Sequence, residues 1–164
     1  MSEESFAKLL PHGLGPNLIV PYAHKGEWAV HELLPVLFSE IGPFHLSLST
    51  FNISEESLRP VFFMKERGEI LSARFLFDNN VKRHKIDMML FAGGIADDVR
   101  TSSTHMKLLI AENDQLQIAV VGSANMNRNI RHEAGFIVTD KICFTYFREY
   151  FETVFTNDSL PFYL

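Results

Sequence analysis

Two short polar clusters between positions 105 and 125 contain the residue types that act on phosphate esters. His105 and Lys107 stand two residues apart at the head of one apolar run, and Ser123 and Asn125 follow the next run. An imidazole serves as a nucleophile or as an acid and base near neutral pH. An ammonium, a hydroxyl and an amide donate hydrogen bonds to the non-bridging oxygens of a phosphate. This combination is typical of a site that binds and attacks a phosphate group.

The residues around these clusters extend the predicted site. Gly122 and Ala124 are small enough to let an anion approach the backbone. Glu133 stands on the next predicted strand, where its carboxylate is expected to hold the second ring nitrogen of His105 and fix its tautomer. Arg131 belongs to a basic loop that either lines a nucleic-acid groove or is simply solvated.

A β-hairpin is expected to bring the two clusters together. The apolar runs on either side of Asn113 and Asp114 are predicted as strands, and these two residues favour a tight turn. Antiparallel pairing then places residues 122–125 beside His105 and Lys107. Because residues two apart in a strand point to the same face, the imidazole and the ammonium are predicted to lie side by side.

The rest of the chain alternates between the periods of strands and helices. We therefore predict an α/β fold in which a mixed β-sheet is flanked by helices on both faces. The predicted strands cover residues 17–22, 44–53, 69–79, 99–112, 115–125 and 132–140, and the predicted helices cover 27–41, 54–68, 82–94 and 141–155.

Composition sets the class of protein and its expected surroundings. The 164 residues are 46% hydrophobic, which predicts one globular domain spanning residues 1–164. The formal net charge of −5 gives no overall attraction to nucleic acid or acidic lipid, so a phosphate site must be built locally. The single Cys143 predicts a reducing compartment. We found neither a secretion signal nor an apolar run long enough to span a membrane, and we expect a cytoplasmic protein without a membrane partner.

The pattern of the polar clusters resembles the HKD signature of the phospholipase D superfamily. The matching residues are His105, Lys107, Glu112, Gly122, Ser123 and Asn125, with Glu133 at the place of the family's downstream glutamate. The likeness extends over about residues 28–155 and includes the strand-helix-strand unit of small single-motif nucleases at 48–78. It implies a phospholipase D-like fold.

Two positions depart from the family pattern. The aspartate that follows the lysine in the family is Glu112 in this chain, and the position two before Glu133, often asparagine, is Arg131. By the resemblance, Glu112 is expected to lie behind the catalytic residues and support them.

The resemblance also implies a mechanism. Members cleave phosphodiesters without a metal or another cofactor, and two copies of the motif surround one phosphate. By this likeness His105, Lys107, Asn125 and Glu133 are catalytic, while Gly122, Ser123 and Arg131 bind the substrate. One histidine forms a covalent phosphohistidine and the other acts as acid and then base. Because the chain holds one motif, a homodimer is expected to complete the site, with nucleic acid or another phosphodiester as substrate.

Several alternatives remain open at the level of sequence. The same fold can be a weak or inactive module that binds nucleic acid or phosphate without turnover. His105, Glu112, His132 and Glu133 match no common zinc spacing, so a metal site is not favoured. One aromatic stripe of the last predicted helix is interpreted as core or dimer contact, and it consists of Phe144, Phe147, Tyr150, Phe151 and Phe155.

Overall fold

The computed structural model describes residues 8–163, which form eight strands and five α-helices. The strands are β1 Ile19–Lys25, β2 Phe44–Thr50, β3 Ile70–Asp78, β4 Asp98–Ser102, β5 Leu108–Glu112, β6 Gln117–Gly122, β7 His132–Val138 and β8 Leu160–Pro161. The helices are α1 Leu33–Ile41, α2 Glu55–Glu66, α3 Asn79–His84, α4 Ile86–Ile95 and α5 Lys141–Asn157. A 3-10 turn at Val30–Glu32 precedes α1.

All eight strands belong to one mixed sheet, in the order β1-β7-β6-β5-β2-β3-β4-β8. The central strands β2, β3 and β4 run parallel, whereas every other neighbouring pair is antiparallel. The parallel strands are joined by helices, as parallel pairing requires a crossover connection. The prediction of a mixed sheet is confirmed.

Helices cover both faces of this sheet, as the sequence predicts. The larger core lies between the sheet and helices α1 to α4, with Leu34, Leu58 and Phe75 among its fully buried members. On the opposite face α5 packs Phe144 and Phe151 against side chains of β3, β5, β6 and β7. Burial on both faces explains why β5 is a continuous apolar run.

The predicted hairpin is confirmed, and the Asn113 side chain holds its turn. The Oδ1 atom of Asn113 accepts hydrogen bonds from the backbone N–H groups of Gln115 and Leu116, at 2.9 and 3.0 Å. Its Nδ2 atom donates to the carbonyl oxygens of Ile41 and Pro43 at 2.7 and 2.9 Å. The turn is thereby tied to the loop after α1.

The stretch predicted as one strand over 99–112 is in fact two separate strands. Its first part belongs to β4, which pairs with β3, and its second part is β5, which pairs with β2 and β6. Residues 103–107 connect them and pass the ends of β2 and β3, which lie between the two strands in the sheet. His105 and Lys107 therefore lie on a crossing segment ahead of β5, which corrects their prediction as strand residues.

Two further boundaries differ from the prediction. The helix expected over 82–94 is two helices, because Lys85 leaves the helical conformation with φ −141° and ψ 51° between α3 and α4. The short strand β8, which pairs with β4, was not predicted. Its two residues offer no alternation that a sequence pattern can detect.

Candidate active site

The predicted site residues gather at one edge of the sheet. At this edge the parallel strands and β6 end, and β5 and β7 begin. An open cleft of about 520 Å³ lies there, and it is lined by His105, Ser123, Asn125, Arg131 and Glu133 together with neighbouring residues. In open α/β sheets the carboxyl ends of parallel strands are the usual place for a ligand.

The segment that carries His105 is anchored to the end of β3. The Oδ2 atom of Asp78 accepts the backbone N–H of Thr104 at 3.1 Å, and its Oδ1 atom accepts that of Asn80 at 2.8 Å. The Thr104 hydroxyl accepts the N–H of Met106 at 3.2 Å. Asp78 and Thr104 are both buried, so the backbone on either side of His105 is fixed. Sequence reasoning missed this anchor, although Asp78 precedes a helix in the manner of an N-cap.

His105 and Lys107 contact each other directly. Lys107 Nζ lies 2.7 Å from Nδ1 and 3.1 Å from Nε2 of the His105 ring, and 2.9 Å from the His105 carbonyl oxygen. An ammonium can only donate, so the ring nitrogen nearest to it acts as the acceptor. Phe51 packs against both groups, with its ring centre 4.6 Å from the His105 ring centre and 5.6 Å from Lys107 Nζ. Burial lowers the pKa of Lys107, and the negative charge of Glu133 opposes that shift.

The Asn125 amide has a defined orientation. Its Oδ1 atom accepts the backbone N–H of Asn52 at 3.1 Å and lies 3.4 Å from the Thr50 hydroxyl. That hydroxyl donates to the Asn52 carbonyl at 2.7 Å and accepts the N–H of Met126 at 3.1 Å. Since Oδ1 accepts the backbone N–H of Asn52, Nδ2 is left as the donor that Asn125 presents to the cleft. Thr50 and Asn52 were not predicted as site residues.

Glu133 holds Ser123 and Asn129. The Ser123 hydroxyl donates to Glu133 Oε2 and accepts the backbone N–H of Ala134 at 3.1 Å. Glu133 Oε1 accepts Asn129 Nδ2 at 3.0 Å. Glu133 was expected to hold the His105 ring, yet within residues 8–163 the hydrogen bonds of that ring go to Lys107. Because the single Ser123 proton points to Glu133, Ser123 orients the carboxylate here and is not a donor to the cleft.

Gly122 is required by the packing of Tyr22. A Cβ atom at Gly122 would lie 2.6 Å from the Ala134 carbonyl oxygen and 2.7 Å from the Tyr22 hydroxyl, and one at Gly135 would be equally close to that hydroxyl at 2.6 Å. Burial raises the pKa of Tyr22 to about 12, and the charge of Glu133 adds to this shift. Gly122 was predicted to let an anion approach the backbone, and its contact with Tyr22 was not predicted.

Glu112 lies away from the cleft, which corrects its expected place behind the catalytic residues. It is the last residue of β5 and forms a salt bridge with Arg148 of α5, with 3.1 Å between Arg148 Nε and Glu112 Oε2. A strand rises by about 3.3 Å per residue, so Glu112 is roughly 16 Å from Lys107 along the chain. Glu112 therefore connects the far end of β5 to α5.

Arg131 lines the cleft from its outer side. The side chain is exposed, and within residues 8–163 the guanidinium forms no ion pair. The Arg131 backbone N–H donates to Asn129 Oδ1 at 2.8 Å. Asn129, whose amide also donates to Glu133, therefore fixes the backbone at Arg131. A guanidinium placed in this way is available to an anionic ligand.

Neither a metal cluster nor a membrane span is found in the part of the chain that the structure describes. No three His, Cys, Asp or Glu side chains within residues 8–163 are arranged to hold a metal ion. In the same residues, no helix combines the length and the apolar character needed to cross a bilayer.

No protein-family model matches the sequence, and a search of curated proteins finds no relative. Solved structures do resemble the fold. Phosphatidylserine synthase of Haemophilus influenzae Rd KW20 aligns with a TM-score of 0.61 at 13% identity, over 97% of this chain and 45% of that chain. The archaeal chromatin protein TrmBL2 aligns with a TM-score of 0.54 at 13% identity, over 95% and 60%.

A third similar structure is the polyphosphate kinase of Porphyromonas gingivalis, with a TM-score of 0.52 at 10% identity, over 76% of this chain and 20% of that chain. The chain thus spans less than two thirds of the length of each of these three proteins. At such identities the likeness concerns the fold alone. The mixed sheet, its helices on both faces and these neighbours together show that the chain has a phospholipase D-like fold.

Proposed function

We propose that the protein is a metal-independent phosphodiesterase, and specifically a nuclease, that forms a covalent phosphohistidine at His105. The observation that carries this proposal is the placement of His105, Asn125 and Arg131 around one cleft, with Lys107 in contact with the His105 ring. An exposed imidazole is thereby surrounded by one amide donor and two cations. Such donors stabilise the charge that develops on a phosphate under attack.

In this mechanism the His105 ring nitrogen attacks phosphorus, and the bond from phosphorus to the leaving oxygen breaks. Lys107 Nζ leaves the ring and binds a non-bridging oxygen, while Asn125 Nδ2 donates to another. A second imidazole protonates the leaving oxygen and then takes a proton from the water that hydrolyses the phosphorus–nitrogen bond. The free protein is thereby restored, with both imidazoles in their starting protonation states.

The second imidazole is proposed to be His105 of another copy of the chain. A twofold axis at the cleft would bring two His105 rings to one phosphate, and coupled titration would leave one ring neutral while the other is charged. His132 also lines the cleft and is the competing candidate within one chain. The dimer proposal expects His132→Ala to keep turnover and His105→Ala to lose it.

The similar structures support phosphorus chemistry and a nucleic-acid ligand. Two of them are named as a phosphatidylserine synthase and a polyphosphate kinase, and the third is described as binding DNA. Among these ligand classes nucleic acid is favoured, because the cleft carries Arg131 and four asparagines, a polar lining suited to phosphate and sugar.

The test is cleavage of single- and double-stranded DNA in EDTA. We expect turnover to persist in EDTA and to fall by about 10²- to 10⁴-fold or more in His105→Ala, with a smaller loss in Lys107→Ala. His45→Ala is the matched control. This exposed histidine lies opposite Glu112 in the register of β2 and β5, at the end of β2 that is far from the cleft. Labelled phosphate trapped on His105 would support the covalent step, whereas loss of turnover in EDTA would contradict the proposal.

A second candidate function is DNA binding without turnover. It is favoured by one observation. Lys107 Nζ forms a hydrogen bond with a His105 ring nitrogen, which is then not free to attack the phosphate. In that case an oligonucleotide binds with strong salt dependence, yet no phosphohistidine forms on His105. Trapping of the covalent intermediate therefore decides between the two candidates.

A further inference from the structure

A second cavity adjoins the cleft on the side of α5. It has a volume of about 290 Å³, and its aromatic wall consists of Tyr146, Phe147 and Tyr150. His105 lines both this cavity and the cleft, and Lys107 lines the cavity next to it. The two spaces therefore meet at the proposed nucleophile.

The core does not account for the two tyrosines. Phe144 and Phe151 of α5 are buried beneath the helix, whereas 65% of Tyr146 and 53% of Tyr150 is exposed. Residues four apart lie on one face of a helix, so the two rings are neighbours on the outer side. The phenylalanines of this helix pack into the core, whereas both tyrosines are exposed, and Tyr146 contacts the Phe147 ring edge-on with 5.5 Å between the ring centres.

We propose that this cavity binds one unpaired nucleobase of the strand whose phosphate lies at His105, an inference that rests on the proposed nuclease function. A base is joined to its phosphate through one sugar, so a phosphate at His105 brings a base within reach of the adjoining cavity. Aromatic side chains stack on bases of any sequence. The volume lies at the small end for ligand pockets, which suits one ring system.

A base can enter this space only when it is not paired and stacked within a duplex. The substrate class that follows is single-stranded nucleic acid, or a single-stranded end or loop. Charge agrees with this assignment, because Lys107 and His105, the groups proposed to contact the phosphate, line the same cavity as the aromatic side chains.

The test measures binding and uses His105→Ala as the background, so that no strand is cleaved. The probe is a fluorescein-labelled oligothymidylate of about twelve nucleotides, compared with its duplex and with an abasic strand of equal length. We expect Tyr146→Leu and Tyr150→Leu each to weaken binding of the single strand about tenfold and to leave the abasic strand unchanged. Tyr150→Phe, which keeps the ring, is expected to bind normally.

Ile142→Ala is the matched control, because Ile142 is 82% exposed one turn earlier on α5 and does not line the cavity. Light scattering on the same variants measures their mass and tests whether a second copy of the chain covers the cavity instead of a base. If Ile142→Ala and Tyr146→Leu both dissociate a dimer, the face is a subunit interface and the inference is overturned. Binding of phosphatidylglycerol vesicles that Tyr150→Ala weakens and Tyr150→Leu retains would assign the cavity to an acyl chain and would also overturn the inference.

The inference and the proposed function fail in different ways. Equal binding of abasic and base-containing strands, or no binding of either, refutes the base site even if the wild-type protein cleaves DNA. Selective loss of the base-containing strand in Tyr150→Leu supports the base site even if the wild-type protein shows no turnover.

Discussion

The orientation of the Asn125 amide depends on two residues at the end of β2 and just beyond it. Asn52 supplies a backbone donor to Oδ1, and the Thr50 hydroxyl joins the backbone on both sides of this contact. Both interactions are local in space but link positions 73 and 76 residues apart in the chain. For this reason neither was visible as a sequence motif, whereas the glycine, serine and asparagine of the HKD pattern were.

Thr50→Val tests this orientation at the residue scale. The variant keeps the shape of the side chain and leaves the Met126 N–H without its acceptor in a buried place, so we expect a loss of about 1–3 kcal/mol in unfolding free energy. The value of kcat should fall more than KM changes. The control is Ser49→Ala, because the buried Ser49 hydroxyl has no hydrogen-bond partner among residues 8–163 and its removal should cost nothing. Urea denaturation and steady-state kinetics measure both.

Glu112→Gln tests whether this residue supports the catalytic groups. The structure pairs Glu112 with the partly exposed Arg148 at the far end of β5, and such pairs contribute about 0–1 kcal/mol. We therefore expect a small loss of stability and an unchanged kcat. A fall in kcat of the size seen for Lys107→Ala would show that Glu112 does act on the site.

At the scale of elements, β6 and β7 approach each other closely where the Tyr22 hydroxyl covers them. Gly122 and Gly135 face each other in the register of this pair, and their missing side chains make room for the ring from β1. The hairpin of β5 and β6 was predictable from Asn113 and two apolar runs. The division between β4 and β5 was not, because residues 101–104 are Thr-Ser-Ser-Thr and contain neither glycine nor proline to mark a break.

Gly122→Ala is expected to destabilise the fold by about 1–3 kcal/mol, because the added Cβ meets the backbone oxygen of Ala134, which cannot rotate away. Gly94→Ala is the matched control. It lies in α4, where no atom of the described part of the chain lies within 4 Å of the new Cβ, and alanine there should stabilise the helix by about 0.5–1 kcal/mol. Thermal and urea unfolding compare the two variants, and equal stability of both would contradict the packing described.

Tyr22 predicts a pH dependence of stability. The folded state raises its pKa to about 12, chiefly through burial, while a tyrosine in the unfolded chain has a pKa of about 10. The folded state thus holds the proton more tightly, and the stability is fully present below about pH 10 and is lost as the pH rises towards about 12. The full loss amounts to about 2–3 kcal/mol. In urea denaturation, the unfolding free energy of Tyr22→Phe should not show this fall with rising pH. The same fall in the variant and in the wild-type protein would refute the prediction.

At the scale of the whole molecule, the fold was predictable from the sequence, whereas the homodimer stays a prediction. Binary patterning over 44–79 and 108–138 was sufficient to predict a mixed sheet with helices on both faces. The pairing of β1 with β7 and of β8 with β4 joins distant parts of the chain, and no local pattern specifies such partners. Thus the centre of the sheet was predictable and its edges were not.

A site shared by two copies makes activity depend on protein concentration. If His105 from each copy is required, specific activity should fall on dilution from micromolar to nanomolar concentration as the dimer dissociates. Light scattering over the same range should show the matching change of mass. Constant specific activity of a species with the mass of one chain, 18.8 kDa, would contradict the shared site.

The segment 103–107 is short for the distance that it crosses. It must pass two intervening strands, and three strand spacings amount to about 14 Å. Six Cα–Cα steps from Ser102 to Leu108 reach about 20 Å when fully extended. The imidazole is therefore carried on a short connection whose two ends are fixed in the sheet. Adding or removing one amino acid there should move the reactive nitrogen by ångströms while the eight-stranded sheet stays intact, so we expect the length of this connection to change reactivity more than folding.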